Sequence, residues 1–151
     1  MLMTQIESTN TGAAERKLKI LLIDDDKLLT DMIAESLVYH GYEVVTFNVS
    51  QSAVRLYETE FKHFDVIILD MMMPNGGGGK DCFAALRRIN PEAKVLLSSG
   101  YCISDEVEAM LKAGAIGFLE KPFKLAELAR KVDLIKAEMQ RSEQRDRAII
   151  R

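Results

Sequence analysis

Five short apolar runs, each followed by a stretch of helical periodicity, constrain this chain more than any other feature. They lie at residues 18–23, 42–47, 66–69, 95–97 and 116–119. Between them, apolar residues recur at three- and four-residue steps. Leu28, Leu29, Met32, Ile33 and Leu37 form the first such series, stopped at Gly41. Residues 51–60 form the second, with Ala53, Leu56 and Tyr57 on the inner face. Phe83, Leu86 and Ile89 form the third, ended by Asn90-Pro91, and residues 105–113 the fourth, ended by Gly114. Leu125, Leu128, Val132 and Ile135 mark the last. Fully apolar strands separated by helices of about ten residues predict an α/β fold, a five-stranded parallel doubly wound sheet covered on both faces. Right-handed crossovers leave few topologies open.

At 151 residues the chain is expected to form one domain. With 48% apolar and 28% charged residues and a net charge of −3, it does not read as a generally basic nucleic-acid binder. No apolar stretch approaches a membrane span, and the polar start lacks a leader's apolar segment. Cys82 and Cys102 stand alone, which predicts reduced thiols in a cytoplasmic protein. Residues 1–16 show no periodicity and predict a flexible tail.

In an open parallel sheet, function collects at the carboxyl ends of the strands. The first run ends in Asp24, Asp25 and Asp26, the third in Asp70, the fourth in Ser98 and Ser99, and the fifth in Glu120, Lys121 and Pro122. Carboxylates gathered on one rim raise one another's pKa unless a cation sits among them. An oxygen-only donor set suits Mg²⁺, and the absence of His or Cys at any strand end argues against zinc. A carboxylate can attack phosphorus, while Mg²⁺ and a lysine neutralise charge and a hydroxyl binds a phosphoryl oxygen. A helix cap would explain Asp24, Asp25 and Asp26 alone, but not Asp70, Ser99 and Lys121 at three other strand ends.

Four segments carry a family resemblance: Ile20-Leu21-Leu22-Ile23-Asp24-Asp25-Asp26, Val66-Ile67-Ile68-Leu69-Asp70-Met71-Met72-Met73-Pro74, Val95-Leu96-Leu97-Ser98-Ser99-Gly100 and Gly117-Phe118-Leu119-Glu120-Lys121-Pro122-Phe123. In order and spacing, residues 17–138 resemble the receiver domain of two-component response regulators. The resemblance implies a flavodoxin-like (βα)₅ fold and a phosphoacceptor at Asp70. It implies Mg²⁺ held by Asp24, Asp25, Asp70 and the Met72 carbonyl. Ser99 would sense the phosphoryl group, Lys121 would pair with it, and Phe118 would be the aromatic switch. The Lys121–Pro122 bond matches one commonly cis in the family. The donor would be a phosphohistidine on a sensor histidine kinase or phosphotransfer protein. Enzymatic activity would be limited to Mg²⁺-assisted self-phosphorylation and self-dephosphorylation. The output face would be the fourth helix, fifth strand and fifth helix.

The run from Pro74 through four glycines, with Ser98-Ser99-Gly100-Tyr101, most resembles receivers carried by hybrid sensor kinases. Tyr101 and Met72 occupy positions that modulate phosphoryl lifetime in the family.

Rival patterns fit less well. A phosphate-binding glycine loop at Gly76 to Lys80 lacks its first glycine, where Pro74 stands, and its Ser or Thr, where Asp81 stands. A haloacid-dehalogenase-like phosphotransferase would use Asp24 as nucleophile, but Leu28 stands where that family wants Thr or Val. A pseudo-receiver that only binds partners is opposed by the intact acidic pair, acceptor, serine and lysine. His40 and His63 read as surface residues. Met71, Met72 and Met73 read as half-buried packing. No segment reads as a DNA-binding domain. Residues 139–151 predict a polar helical extension that outruns the domain, too polar for a strong coiled-coil seam, with a weak homodimer as the alternative.

Overall fold

The computed structural model describes residues 16–73, 78–100 and 104–149. Its order is β1 (Lys19–Ile23), α1 (Lys27–Tyr39), β2 (Glu43–Phe47), α2 (Ser50–Glu60), a 3₁₀ turn (Phe61–His63), β3 (Val66–Asp70), α3 (Gly78–Ile89), β4 (Val95–Ser99), α4 (Asp105–Lys112), β5 (Gly117–Glu120) and α5 (Leu125–Ile149). The strands form one parallel sheet in the order β2-β1-β3-β4-β5. The chain starts in the interior of the sheet and winds outward in both directions, so the order reverses between β1 and β3. That reversal opens a crevice at the carboxyl ends of the two strands.

Strand alternation divides the core into two layers. Leu21, Ile23, Ile67, Leu69, Val95 and Leu97 meet Ala53, Tyr57, Phe83, Leu86, Val107 and Met110 from α2, α3 and α4. Ile20, Leu22, Val66, Ile68, Leu96 and Leu119 meet Ile33 and Leu37 of α1 and Leu128 and Val132 of α5. All five positions of β3 and of β4 are buried, as central strands of a doubly wound sheet require.

Element boundaries differ from the sequence reading by a residue or two, and three details differ in substance. Leu28 and Met32 belong to the apolar series of α1, yet they are 72% and 48% exposed. The helix buries Thr30, Ile33 and Leu37 instead, with Ile33 and Leu37 packed against the sheet, while Asp26 caps its start by accepting from Leu29 N at 3.0 Å. Ile116 sits before β5 rather than in it and is 39% exposed. The three methionines after β3 are not equivalent: Met71 and Met73 are buried, and Met72 faces solvent.

The last helix is anchored by Leu128, Ala129 and Val132, by half-buried Ile135 and Met139, and by the Tyr42 hydroxyl, which donates to Asp133. From Gln140 to Ile149 its residues are exposed. No helix among the described residues is long and apolar enough to cross a membrane.

Candidate functional site

Two segments bring the acidic residues together, Asp24 and Asp25 just after β1 and Asp70 as the last residue of β3. Ligand oxygens of Asp24, Asp25 and Asp70 lie within 4.8 Å of one another. Asp24 and Asp70 are buried, and Asp25 is exposed. The Lys121 ammonium reaches across from the end of β5 to Asp24 Oδ2 at 2.6 Å and to Asp70 Oδ1 at 3.4 Å. The lysine side chain is 22% exposed, and the two carboxylates are nearly dry.

Backbone donors fix both carboxylates. Asp26 N donates to Asp24 Oδ1 at 3.0 Å, and Met72 N donates to Asp70 Oδ1 at 3.1 Å. Asn48, after β2, donates to the Asp24 carbonyl at 2.7 Å and to Thr30 Oγ1 at 3.1 Å. It ties the acidic loop to α1. Nothing in the sequence marked Asn48, because its role depends on the pairing of β1 with β2.

Two buried carboxylates share one cation, so their charges are not balanced. Burial pushes the Asp70 carboxyl up to about 6, with Asp24 adding to the rise, while Met72 N and Lys121 pull the other way. Burial by itself would lower the Lys121 ammonium, but its hydrogen bond and attraction to Asp24, and its attraction to Asp70, leave it raised. A further cation would relieve the excess negative charge. The donors are all oxygens and Asp25 is open to solvent, which fits a hard divalent ion that keeps part of its water.

Lys121 N donates to the Ser99 carbonyl at 2.7 Å, joining the ends of β4 and β5, and the Lys121–Pro122 peptide is cis. Ser99 is buried. Leu97 is in register with Phe118 and Ser99 with Glu120, so alternation puts Ser99 and Phe118 on one face of the sheet. Phe118 is half-buried against the α2–α3–α4 layer. The structure therefore gathers Asp24, Asp25, Asp70 and Lys121 in direct contact or near it. It places Ser99 at the adjoining strand end and Phe118 behind it. Met72 contributes its backbone beside Asp70, with its side chain turned outward.

Gly78 and Gly79 open α3 beside the site. A Cβ on Gly79 would meet Met71 Cα at 2.6 Å and the Asp70 carbonyl oxygen at 2.9 Å. The start of α3 thus lies directly against the backbone that carries Asp70. Cys82 is buried, and burial pushes its thiol up to about 12. His40 and His63 are exposed, away from the acidic cluster. Tyr101, Cys102 and Pro74 lie outside the described residues.

The comparisons with known proteins agree with this geometry. Residues 20–133 match the model of the response regulator receiver domain. The chain is 33% identical to the transcriptional regulatory protein CpxR of Escherichia coli K12 over 126 residues, covering 83% of this chain and 52% of CpxR. It is 32% identical over 132 residues to the nisin biosynthesis regulatory protein NisR of Lactococcus lactis, covering 87% of this chain and 54% of NisR. Among solved structures, a CheY-like receiver domain protein from Methanospirillum hungatei superposes with a TM-score of 0.75 at 26% identity, covering 84% of this chain and 98% of that one. This chain belongs to the receiver domains of two-component response regulators, whose standard role is that of a phosphorylation-dependent switch. It spans about half the length of the curated relatives it matches.

Proposed function

We propose that Asp70 is the phosphoacceptor of this switch and that the donor is a phosphohistidine on a sensor histidine kinase or phosphotransfer protein. The observation that carries this reading is the unbalanced charge at Asp70. A buried carboxylate stands beside a second one, with a single lysine between them, at the mouth of the crevice. An Asp70 oxygen attacks phosphorus, the phosphorus–nitrogen bond breaks, and its electron pair returns to the donor imidazole. Met72 N and Lys121 hold the carboxylate in place for that attack. Asp24, Asp25, Asp70 and the Met72 carbonyl would hold Mg²⁺, which supplies positive charge to the phosphoryl oxygens.

Once Asp70 is phosphorylated, the Ser99 hydroxyl turns to a phosphoryl oxygen, and Phe118, on the same face of the sheet, turns into the space this opens. The surface of α4, β5 and α5 then carries the signal to a protein partner. Residues 17–138 would be the switch itself, and residues 139–151 a helical extension. The chain would act in the cytoplasm, with no catalysis beyond its own phosphorylation and dephosphorylation.

Incubation with acetyl phosphate and Mg²⁺, followed by mass spectrometry, tests this. Label on Asp70, lost in Asp70→Asn, is expected. Equal labelling of Asp70→Asn with the phosphate on Asp24 would favour a phosphotransferase. Failure to take up phosphate, or beryllofluoride in its place, would favour a binding module.

A further inference from the structure

Ser98 Oγ is the buried side-chain atom that lacks a hydrogen-bond partner among the described residues. Ser98 is 3% exposed, so solvent does not satisfy it. Its place is specific. Register pairs Ser98 with Asp70 on one side and with Leu119 on the other. Partners in a parallel ladder project to the same face, so Ser98 faces the side of Asp70, whereas Ser99 faces the side of Phe118.

Lys121 shares that side. It follows Leu119 by two residues, and its ammonium ends between Asp24 and Asp70. Strand β4 lies between β5 and β3. The lysine stem therefore passes over the end of β4 on the face that carries Ser98. An open cleft of about 440 Å³ lined by Leu29, Gly100, Lys121, Pro122 and Phe123 leaves the stem room to shift.

The ammonium and a divalent cation cannot both have Asp24 on the same terms. The lysine now takes Asp24 Oδ2 at 2.6 Å. A cation on the acidic pair competes for that oxygen and repels the ammonium. The ammonium carries three donors and would keep only its longer approach to Asp70. A half-buried ammonium short of acceptors weakens whatever displaces it.

We propose that Ser98 is a positioning residue for Lys121, whose hydroxyl accepts from the ammonium when a divalent cation takes Asp24. The orphaned Ser98 oxygen then gains a donor in the cation-bound protein. This rests on the reading of the acidic cluster as a Mg²⁺ site. It assigns to Ser98 a role separate from that of its neighbour Ser99.

The alternative is that serine is simply small enough for the stem to pass. Alanine passes equally well, so the two differ in outcome. Mg²⁺ alone is titrated into the full-length wild type, Ser98→Ala and Ser98→Thr, with affinity read by calorimetry and the Lys121 side-chain resonances by NMR. Ser98→Ala is expected to weaken Mg²⁺ roughly fivefold, the worth of one hydrogen bond. Ser98→Thr keeps the hydroxyl and restores affinity. The Lys121 resonances move on Mg²⁺ addition in wild type and Ser98→Thr, and move less in Ser98→Ala. Wild-type affinity in Ser98→Ala, or equal weakening in both variants, overturns the proposal. Asp25→Asn separates the two readings. If wild type binds Mg²⁺ through Asp25 and Ser98→Ala is indifferent, only the role of Ser98 falls. If wild type binds no Mg²⁺, or Asp25→Asn binds it as well, the metal site falls and this proposal with it.

Discussion

Asp65 and Asp70 flank the same central strand, and both carboxylates are shielded from water, with 8% and 3% of their side chains exposed. At the amino end, each Asp65 oxygen has its own donor: Arg16 on Oδ1 at 2.6 Å and Lys19 N on Oδ2 at 2.8 Å. At the carboxyl end, Asp70 shares Lys121 with Asp24, and the lysine is closer to Asp24. Asp65 is therefore a matched carboxylate that ties the start of β1 to β3. Asp70 is an unmatched one. Burial alone does not mark a reactive site; burial with too few cations does.

Removing the cation at each end should separate the two most. Lys121→Met leaves Asp24 and Asp70 without a counter-ion and should lower stability at pH 8 by about 2–3 kcal/mol, because uncompensated buried charge is costly. Arg16 is 66% exposed, so Arg16→Met should cost under about 1 kcal/mol. Urea denaturation of both variants reads the difference. Equal losses would mean that the Asp24 and Asp70 carboxylates are hydrated and the contrast is false.

Neutralising the carboxylates themselves should give opposite signs. Asp70→Asn removes a like charge facing Asp24, and should stabilise the cation-free protein at pH 8 by about 1–2 kcal/mol. Asp65→Asn leaves one acceptor oxygen for two donors, Arg16 and Lys19 N, and should destabilise by about 1 kcal/mol. Thermal melts in EDTA would show the two midpoints moving in opposite directions. A loss in both would place Asp70 among the structural residues.

Acid should act on one end of the strand through a known group. The Asp70 carboxyl is raised from its model-peptide value of 3.8 to about 6. A raised acid favours the folded state while protonated. Its contribution is thus full below about 4 and is lost as the pH rises through about 6. Protons also compete with the cation, so Mg²⁺ affinity should fall as the pH drops below about 6 and level off above about 7. In Asp70→Asn the fall in stability between about pH 4 and about pH 6 should disappear. If it persists there, another group is responsible.

The sheet and the strand-end residues were legible because both follow from period and placement. Apolar runs of about five residues set the strands, and parallel winding carries whatever follows them to one rim. Asp24, Asp70 and Lys121 could be brought together on that basis before any contact was known. What alternation adds is the side each residue faces. The sequence has Ser98 and Ser99 side by side, but only register with Asp70 and Phe118 assigns them to opposite faces. Asn48 was invisible because its contact with Asp24 spans two strands. Leu28 and Met32 fit the helical period of α1 yet face out, because the apolar series covers about half of the helix and only the side with Ile33 and Leu37 meets the sheet.

The smallest effect is expected beyond the amino end, where α5 runs past the sheet. Its last residue packed against the core is Met139, and the following residues to Ile149 are exposed, with Ile149 itself 80% exposed. The pairs that hold this stretch are local, such as Arg141 donating to Glu138 at 3.0 Å, and exposed pairs of that kind are worth about 0.3–0.5 kcal/mol. A chain ending at Gln140 should therefore melt within about 2 °C of the full chain, since a loss below 1 kcal/mol moves a domain of this size by no more than a few degrees. The stripe after Met139 continues through Ser142, Asp146 and Ile149, too polar to hold two helices together. Sedimentation should accordingly find each form at its own monomer mass at micromolar concentration. A full chain that sediments as a tight dimer, with the shortened one a monomer, would make the overhang an interface and would move Ile149 from an exposed end to the centre of a contact.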